Sequence, residues 1–173
     1  NPTRSGHKLS LQASQVVLDA RVQIAELFKI GDPLQVIFTS NATEALNLGI
    51  KGILKPGDHV ITSSMEHNSV TRPLAKLTQQ GVEVTKLPGN SYGWLDPKEV
   101  AEGIKENTKL IVLSHASNVT GLIQPIEEIG KLARQKGILF MVDSAQTAGS
   151  FEIDVDNMNI DLLVFAGHKG LLG

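Results

Sequence analysis

The most informative stretch of the sequence is Ile160-Asp-Leu-Leu-Val-Phe-Ala-Gly-His-Lys169. Its apolar run predicts a buried strand that ends at two small residues, and an imidazole and an amine follow at once. A lysine just beyond a buried strand is expected to be poorly solvated, and its amine can then act as a nucleophile. We therefore treat Lys169 as the candidate reactive group and look outward for side chains that surround it.

Upstream of this stretch, apolar runs alternate with segments of helical periodicity. The pattern predicts strands over 36–39, 59–63, 82–87, 109–114, 138–142 and 160–165, and helices over about 12–29, 42–54, 68–80, 97–106 and 125–136. Strands that alternate with helices form βαβ units, and unbroken apolar strands are typical of a sheet covered on both faces. We therefore predict an α/β fold with three α/β/α layers and a mostly parallel sheet, preceded by a loop over 1–11.

Composition excludes several classes of function. The 173 residues have a net charge of −2, and their cationic residues are scattered, so we expect no nucleic-acid partner. No apolar run approaches a membrane span, and the first residues contain no signal-peptide h-region, so we expect no membrane association. The chain contains no cysteine, which fits a cytoplasmic location and excludes thiolate metal sites within it. It lacks an initiator methionine, so we expect a piece of a longer protein.

Parallel sheets bind ligands at the carboxyl ends of their strands, so the residues after each strand are the candidates. Ser40 and Asn41 precede a helix whose free N–H groups suit a phosphate, with the Thr43 hydroxyl as a further donor, and a plain N-cap at Ser40 or Asn41 is the alternative. His67 follows the next strand, where its ring suits stacking on an aromatic group or moving a proton, and a surface histidine is the alternative. No spacing of ligands indicates a metal site.

The later strand ends add an amide and a carboxylate. Asn118 offers an amide donor after one strand, and Asp143 ends the next strand as a carboxylate that is costly to bury unless it is paired. A protonated pyridine nitrogen would pair Asp143, and Gln146 can reach a neighbouring ring oxygen, although Asp143 also suits a helix cap. Together with His168 and Lys169, these are the parts that a pyridoxal 5′-phosphate site needs.

Five motifs resemble those of class V aminotransferase-like enzymes, in their order and approximate spacing: Asn41-Ala-Thr-Glu-Ala-Leu-Asn47, Met65-Glu-His-Asn68, Ser117-Asn-Val-Thr-Gly121, Asp143-Ser-Ala-Gln146 and Gly167-His-Lys169. Within that class the chain most resembles the cysteine desulfurase and selenocysteine lyase branch. The resemblance covers essentially the whole chain. It implies the large domain of a fold-type I pyridoxal phosphate-dependent transferase, incomplete here.

The resemblance also implies a role for each candidate residue. Lys169 would form a Schiff base with the cofactor and move protons at the substrate α-carbon, and His67 would stack on the ring and act as an acid or base. The implied cofactor-binding set is Ala42, Thr43, His67, Asn118, Asp143, Gln146, His168 and Lys169. Arg4 and His7 belong to a segment that approaches the active site in relatives. Ala166 departs from the family pattern, because many relatives carry a serine or threonine there that donates to the phosphate.

The implied activity is that of a cysteine desulfurase, which converts L-cysteine to L-alanine and keeps the sulfur as an enzyme persulfide. Selenocysteine lyase or aminotransferase activity, and a non-catalytic scaffold of the same fold, are the alternatives. The resemblance further implies an amino acid substrate, a sulfur-acceptor protein and a homodimer. The substrate-binding arginine and the sulfur-accepting cysteine are expected beyond Gly173, so residues 1–173 are expected to be the N-terminal portion of the large domain.

Overall fold

The computed structural model describes residues 6–172, which form a sheet between two layers of helices. The helices are α1 (Lys8–Leu27), α2 (Ala42–Ile53), α3 (Asn68–Thr78), α4 (Pro97–Glu102) and α5 (Ile126–Lys136). The strands are β1 (His59–Ser63), β2 (Glu83–Leu87), β3 (Thr108–Ser114), β4 (Leu139–Asp143) and β5 (Leu162–Val164). Their alternation confirms the predicted α/β class.

All five strands are parallel, in the order β2-β1-β3-β4-β5. Because parallel strands point the same way, the segments that follow β1, β3, β4 and β5 emerge along a single edge of the sheet. Ser114 and Asp143, the last residues of β3 and β4, are register partners at that edge. The order of the strands therefore brings together side chains that are far apart in the sequence.

The apolar strands are buried on both faces, which confirms the three-layer prediction. In β3, Leu110 and Val112 belong to one hydrophobic cluster, whereas Ile111 and Leu113 belong to the other. The first cluster includes side chains of α2 and α3, and the second includes side chains of α4 and α5 and packs against α1. Successive strand residues point to opposite faces, so an unbroken apolar strand requires helices on both sides.

The predicted strand over 36–39 is wrong. A 3-10 helix, Pro33–Gln35, precedes it, and no strand within residues 6–172 pairs with it. The Val36 carbonyl instead accepts a hydrogen bond from the Arg21 guanidinium at 2.6 Å, and that cation lies 5.4 Å from the centre of the Phe38 ring. β-Branched and aromatic residues favour a strand only where a neighbouring strand is available, and residues 36–39 do not lie beside any of the five strands of the sheet.

The predicted loop over 1–11 is wrong for its last residues, because α1 already begins at Lys8. Its first turns are poorly marked in the sequence, since Leu9 and Leu11 are exposed and follow no buried stripe. His7 is the N-cap without a side-chain capping bond, and Arg4 lies outside the described residues. Within residues 6–172, no helix is both long enough and apolar enough to cross a membrane.

Candidate active site at the carboxyl edge of the sheet

A cavity of about 200 Å³ lies at the carboxyl ends of the strands. Its lining includes all eight residues proposed from the sequence: Ala42, Thr43, His67, Asn118, Asp143, Gln146, His168 and Lys169. The lining also includes Ser69 and Ser114, which the sequence did not single out. Residues from five separate segments of the chain therefore converge on one cavity.

The N-terminus of α2 forms one wall of the cavity. Asn41 Oδ1 accepts from the Glu44 N–H at 2.9 Å, and the Glu44 carboxylate accepts from the Ser40 N–H at 2.6 Å. This reciprocal pair caps the helix, as predicted for Asn41. The N–H groups of Ala42 and Thr43 belong to the first turn and have no helical acceptor four residues earlier, so they are suited to bind an anion.

His67 is tied to the same wall through Ser69. His67 is the N-cap of α3, and its Nδ1 accepts from the Ser69 N–H at 3.1 Å. The ring proton of the neutral imidazole therefore lies on Nε2. The Ser69 hydroxyl lies 2.8 Å from His67 Nδ1 and 2.7 Å from Thr43 Oγ1. This chain of hydrogen bonds links the orientation of the His67 ring to the first turn of α2.

Asp143 is the buried anionic group of the cavity, with 7% of its surface exposed. Its Oδ1 accepts from the Ala145 N–H at 3.0 Å. Burial raises the pKa of Asp143, whereas the Ala145 hydrogen bond and the charges of His67 and Lys169 act in the opposite direction. A desolvated carboxylate of this kind is stabilised by a cationic partner, so Asp143 is suited to pair with a protonated ring nitrogen.

Lys169 is exposed, so the expectation that it is poorly solvated is wrong. The reason is that β5 ends at Val164, five residues earlier, and a loop carries the lysine away from the sheet. The loop is fixed by close backbone packing, because a Cβ on Gly170 would lie 2.4 Å from the Ala148 carbonyl oxygen. The position of the amine is therefore set by the loop and not by burial.

Glu66 is a site residue that sequence reasoning missed. Its carboxylate accepts from the Ser63 hydroxyl at 2.5 Å and from the Ser114 N–H and hydroxyl at 2.8 and 2.7 Å. Burial is the main cause that raises the pKa of Glu66 to about 7, and the charge of Asp143 adds to it. Glu66 lies three residues after the end of β1, whereas Asp143 is the last residue of β4, so the position of Glu66 in the sequence did not mark it as buried.

A second cavity of about 470 Å³ lies between α2 and α3 and shares Thr43, His67 and Ser69 with the first. Lys51, Arg72 and Lys76 are part of its lining, which includes no carboxylate. Clustered cations of one sign raise the local concentration of anions. Within residues 6–172, no group of three or more histidine and acidic side chains is arranged to hold a metal ion.

The sequence matches a known family over its whole length. The family model described as Aminotransferase class-V matches residues 1–173. The cysteine desulfurase IscS of Pectobacterium carotovorum subsp. carotovorum (strain PC1) is 42% identical over 173 residues, a match that covers 98% of this chain and 43% of that protein. The chain thus spans less than half the length of this relative.

Two solved structures share the fold closely. The structure described as SspA in complex with cysteine superposes with a TM-score of 0.91 at 37% identity, covering 98% of this chain and 51% of that chain. The apo cysteine desulfurase from Thermococcus onnurineus NA1 has a TM-score of 0.91 at 35% identity, covering 99% of this chain and 43% of that chain. Both likenesses extend over nearly all of the present chain.

Proposed function

The chain belongs to the aminotransferase class-V family, and we propose that the protein carrying it is a pyridoxal 5′-phosphate-dependent cysteine desulfurase. The reaction would convert L-cysteine to L-alanine and retain the sulfur as an enzyme persulfide. Cysteine desulfurases among the similar proteins support this choice, and so does the cysteine in the SspA structure. Because the present chain contains no cysteine, the sulfur-accepting thiol would come from another part of the protein.

One observation carries the proposal: Lys169, Asp143 and His67 line a single cavity at the end of the sheet. An amine, a buried carboxylate and an imidazole are the groups that pyridoxal phosphate requires around its aldehyde, its ring nitrogen and its ring face. They also act on one another, since the charges of Lys169 and His67 lower the pKa of Asp143 against the effect of burial. A surface cavity without a binding role would not be expected to contain an amine, a buried carboxylate and an imidazole together.

The residues present also fit the phosphate and the ring substituents of the cofactor. The first turn of α2 supplies the Ala42 and Thr43 N–H groups, and we assign these, with His168, to the phosphate. The hydroxyls of Thr43 and Ser69 line the same cavity, and we assign them as donors in place of the hydroxyl that Ala166 lacks. Gln146 and Asn118 are assigned to the ring oxygen, because both amides line the same cavity.

Bound pyridoxal phosphate supplies an aldehyde and an electron-withdrawing ring, and the chain supplies the groups that position and protonate. Asp143 would stabilise a proton on the ring nitrogen, because its buried carboxylate lacks the screening that water provides. Lys169 Nζ would accept the proton from the substrate α-carbon, with His67 Nε2 as the second acid or base. The Ser69 hydrogen bond to His67 Nδ1 leaves Nε2 free for that role.

Further proposals concern the surroundings of the site. The Lys51, Arg72 and Lys76 cavity supports an amino acid substrate, because its cations lie beside His67 and attract a carboxylate group. We also propose a homodimer that passes sulfur to an acceptor protein, and the exposed apolar side chains of α1 support additional contacts of this segment. We further propose a cytoplasmic location. Residues 1–173 are assigned to the N-terminal portion of the large domain.

The test uses the full-length protein supplied with pyridoxal phosphate and L-cysteine. We expect alanine and sulfide in the presence of a thiol reductant, and loss of both products in Lys169→Ala. Lys136→Ala is the matched control, since Lys136 is exposed at the far end of α5 and should leave turnover unchanged. A wild-type protein that binds the cofactor but forms no alanine from L-cysteine would refute the desulfurase assignment.

A further inference from the structure

Glu66 joins two strand ends beneath the cavity. The residue is half-buried, but its carboxyl oxygens accept hydrogen bonds from Ser63 and Ser114, which are themselves buried. Ser63 Oγ also accepts from the Met65 N–H at 3.1 Å, so the turn after β1 is closed around the same hydroxyl. Glu66 therefore lies within a connected set of hydrogen bonds and is not a solvated loop residue.

The hydrogen bonds of Glu66 lie just beyond the point where the pairing of β1 with β3 ends. The paired register of β1 and β3 ends at Ile61 and Ile111, so the Ser114 N–H finds its acceptor in the Glu66 carboxylate. On its other side, Ser114 is the register partner of Asp143, and the His115 N–H donates to the Asp143 carbonyl at 2.9 Å. Glu66 consequently holds the strand end that flanks Asp143.

The charge of Asp143 also acts on Glu66. Burial raises the pKa of both carboxyls, and the charge of Asp143 raises that of Glu66 further. The charges of His67 and Lys169 lower the pKa of Asp143, whereas the hydrogen bonds from Ser63 and Ser114 lower that of Glu66. A like charge disfavours the ionised form of a carboxyl, so the hydrogen bonds to Ser63 and Ser114 are needed to hold a charged Glu66 near Asp143.

We propose that Glu66 is a positioning residue for Asp143: its carboxylate holds the end of β3 through the Ser114 N–H and hydroxyl. Ser114 is in turn the register partner of Asp143, so the end of β3 sets the place of that carboxylate in the cavity. This inference rests on the proposed function, because the role of Asp143 is to face the pyridoxal phosphate ring. Glu66 itself lies outside the cavity lining and acts through Ser114 and Asp143.

Two substitutions separate the hydrogen bonds from the charge. Glu66→Gln removes the charge but keeps an amide oxygen that can accept from Ser114. Glu66→Ala leaves the buried Ser114 N–H and hydroxyl without their acceptor, which is costly in a buried position. A role that depends on holding Ser114 therefore predicts a mild glutamine variant and a damaging alanine variant.

The first measurement uses cofactor-free, full-length protein labelled with carboxyl-¹³C glutamate. The Glu66 resonance is identified as the one that is absent from the spectrum of Glu66→Gln. It should titrate near pH 7, because the pKa of Glu66 is raised to about 7. Ser63→Ala keeps Glu66 but removes a hydrogen bond that lowers its pKa, so its midpoint should move upward. A Glu66 resonance that titrates at an ordinary carboxyl pKa, or a midpoint unmoved in Ser63→Ala, would show that Glu66 is not held by Ser63 and Ser114 and would overturn the inference.

The second measurement is the dissociation constant of pyridoxal phosphate for the same proteins. We expect Glu66→Gln within about threefold of wild type and Glu66→Ala weakened by about tenfold or more, since losing a buried acceptor has that order of effect. Glu102→Gln, an exposed change on α4, is the control. Equal binding by Glu66→Ala and wild type, or equal weakening in both Glu66 variants, would contradict the inference. If wild-type protein binds no cofactor, the proposed function fails, while the titration still decides whether Glu66 is held by Ser63 and Ser114.

Discussion

Replacing Glu66 with glutamine should remove a pH dependence of folding stability. The pKa of Glu66 rises from an ordinary 4.5 to about 7 in the folded protein, with burial as the first cause. The folded state therefore binds this proton more tightly than the unfolded state does. The stabilisation is complete below pH 4.5 and is lost as the pH rises through about 7.

The size of the effect follows from the same difference in pKa. It corresponds to about 3 kcal/mol as an upper bound, and the half-buried position of the residue reduces the expected value to about 2 kcal/mol. Glu66→Gln has no ionisable group at this position, so it should equal wild type in acid and exceed it in stability above neutral pH. The raised pKa of Asp143 contributes a slope of the same sign in both proteins.

Urea unfolding of the cofactor-free, full-length protein measures this difference directly. The free energy of unfolding would be determined at intervals from below pH 4.5 to above pH 7, for wild type, Glu66→Gln and the control Glu102→Gln. The curves of wild type and the control should stay parallel, whereas the curve of Glu66→Gln should separate from them as the pH rises. Parallel curves for all three proteins would refute the account of Glu66.

Three further predictions concern glycines and the ring-nitrogen partner. Gly170→Ala should displace Lys169 and weaken covalent cofactor attachment in the full-length protein, whereas Gly167→Ala should not, because a Cβ on Gly167 meets open space. Attachment is measured as cofactor fixed to lysine by borohydride reduction, and equal amounts in both variants would contradict the packing of Gly170 against Ala148. Asp143→Asn should lower cofactor affinity about tenfold in a titration, and unchanged affinity would remove Asp143 from the site. Gly130→Ala should lower stability by about 2 kcal/mol in urea, because its Cβ would overlap the Met158 carbonyl, and an unchanged midpoint would contradict that contact.

The fold could be predicted from the sequence because its strands are short, apolar and separated by clear turns. The strand predicted over 59–63 coincides with β1, and the strand over 109–114 differs from β3 by one residue. Burial on both faces makes such strands uniformly apolar, and glycines such as Gly137, with a φ of 67°, mark where the helices end. The position of the cavity followed from the parallel sheet and not from any single motif.

What the sequence did not reveal depends on contacts between distant segments. The 36–39 run has the composition of a strand, yet Arg21 and not a neighbouring strand satisfies the Val36 carbonyl. Lys169 follows an apolar run but is exposed, because the strand is only three residues long and lies at the edge of the sheet. Glu66 reads as a polar loop residue until the end of β3 is placed beside it.

The central claim is that Lys169 holds pyridoxal phosphate in this cavity. Borohydride reduction of the full-length, cofactor-supplied protein, followed by peptide mass mapping, tests it most directly. We expect a phosphopyridoxyl group on the peptide that contains Lys169, lost in Lys169→Ala and retained in Lys136→Ala. A label on any other lysine, or an unlabelled Lys169 in protein that carries the cofactor, would contradict it.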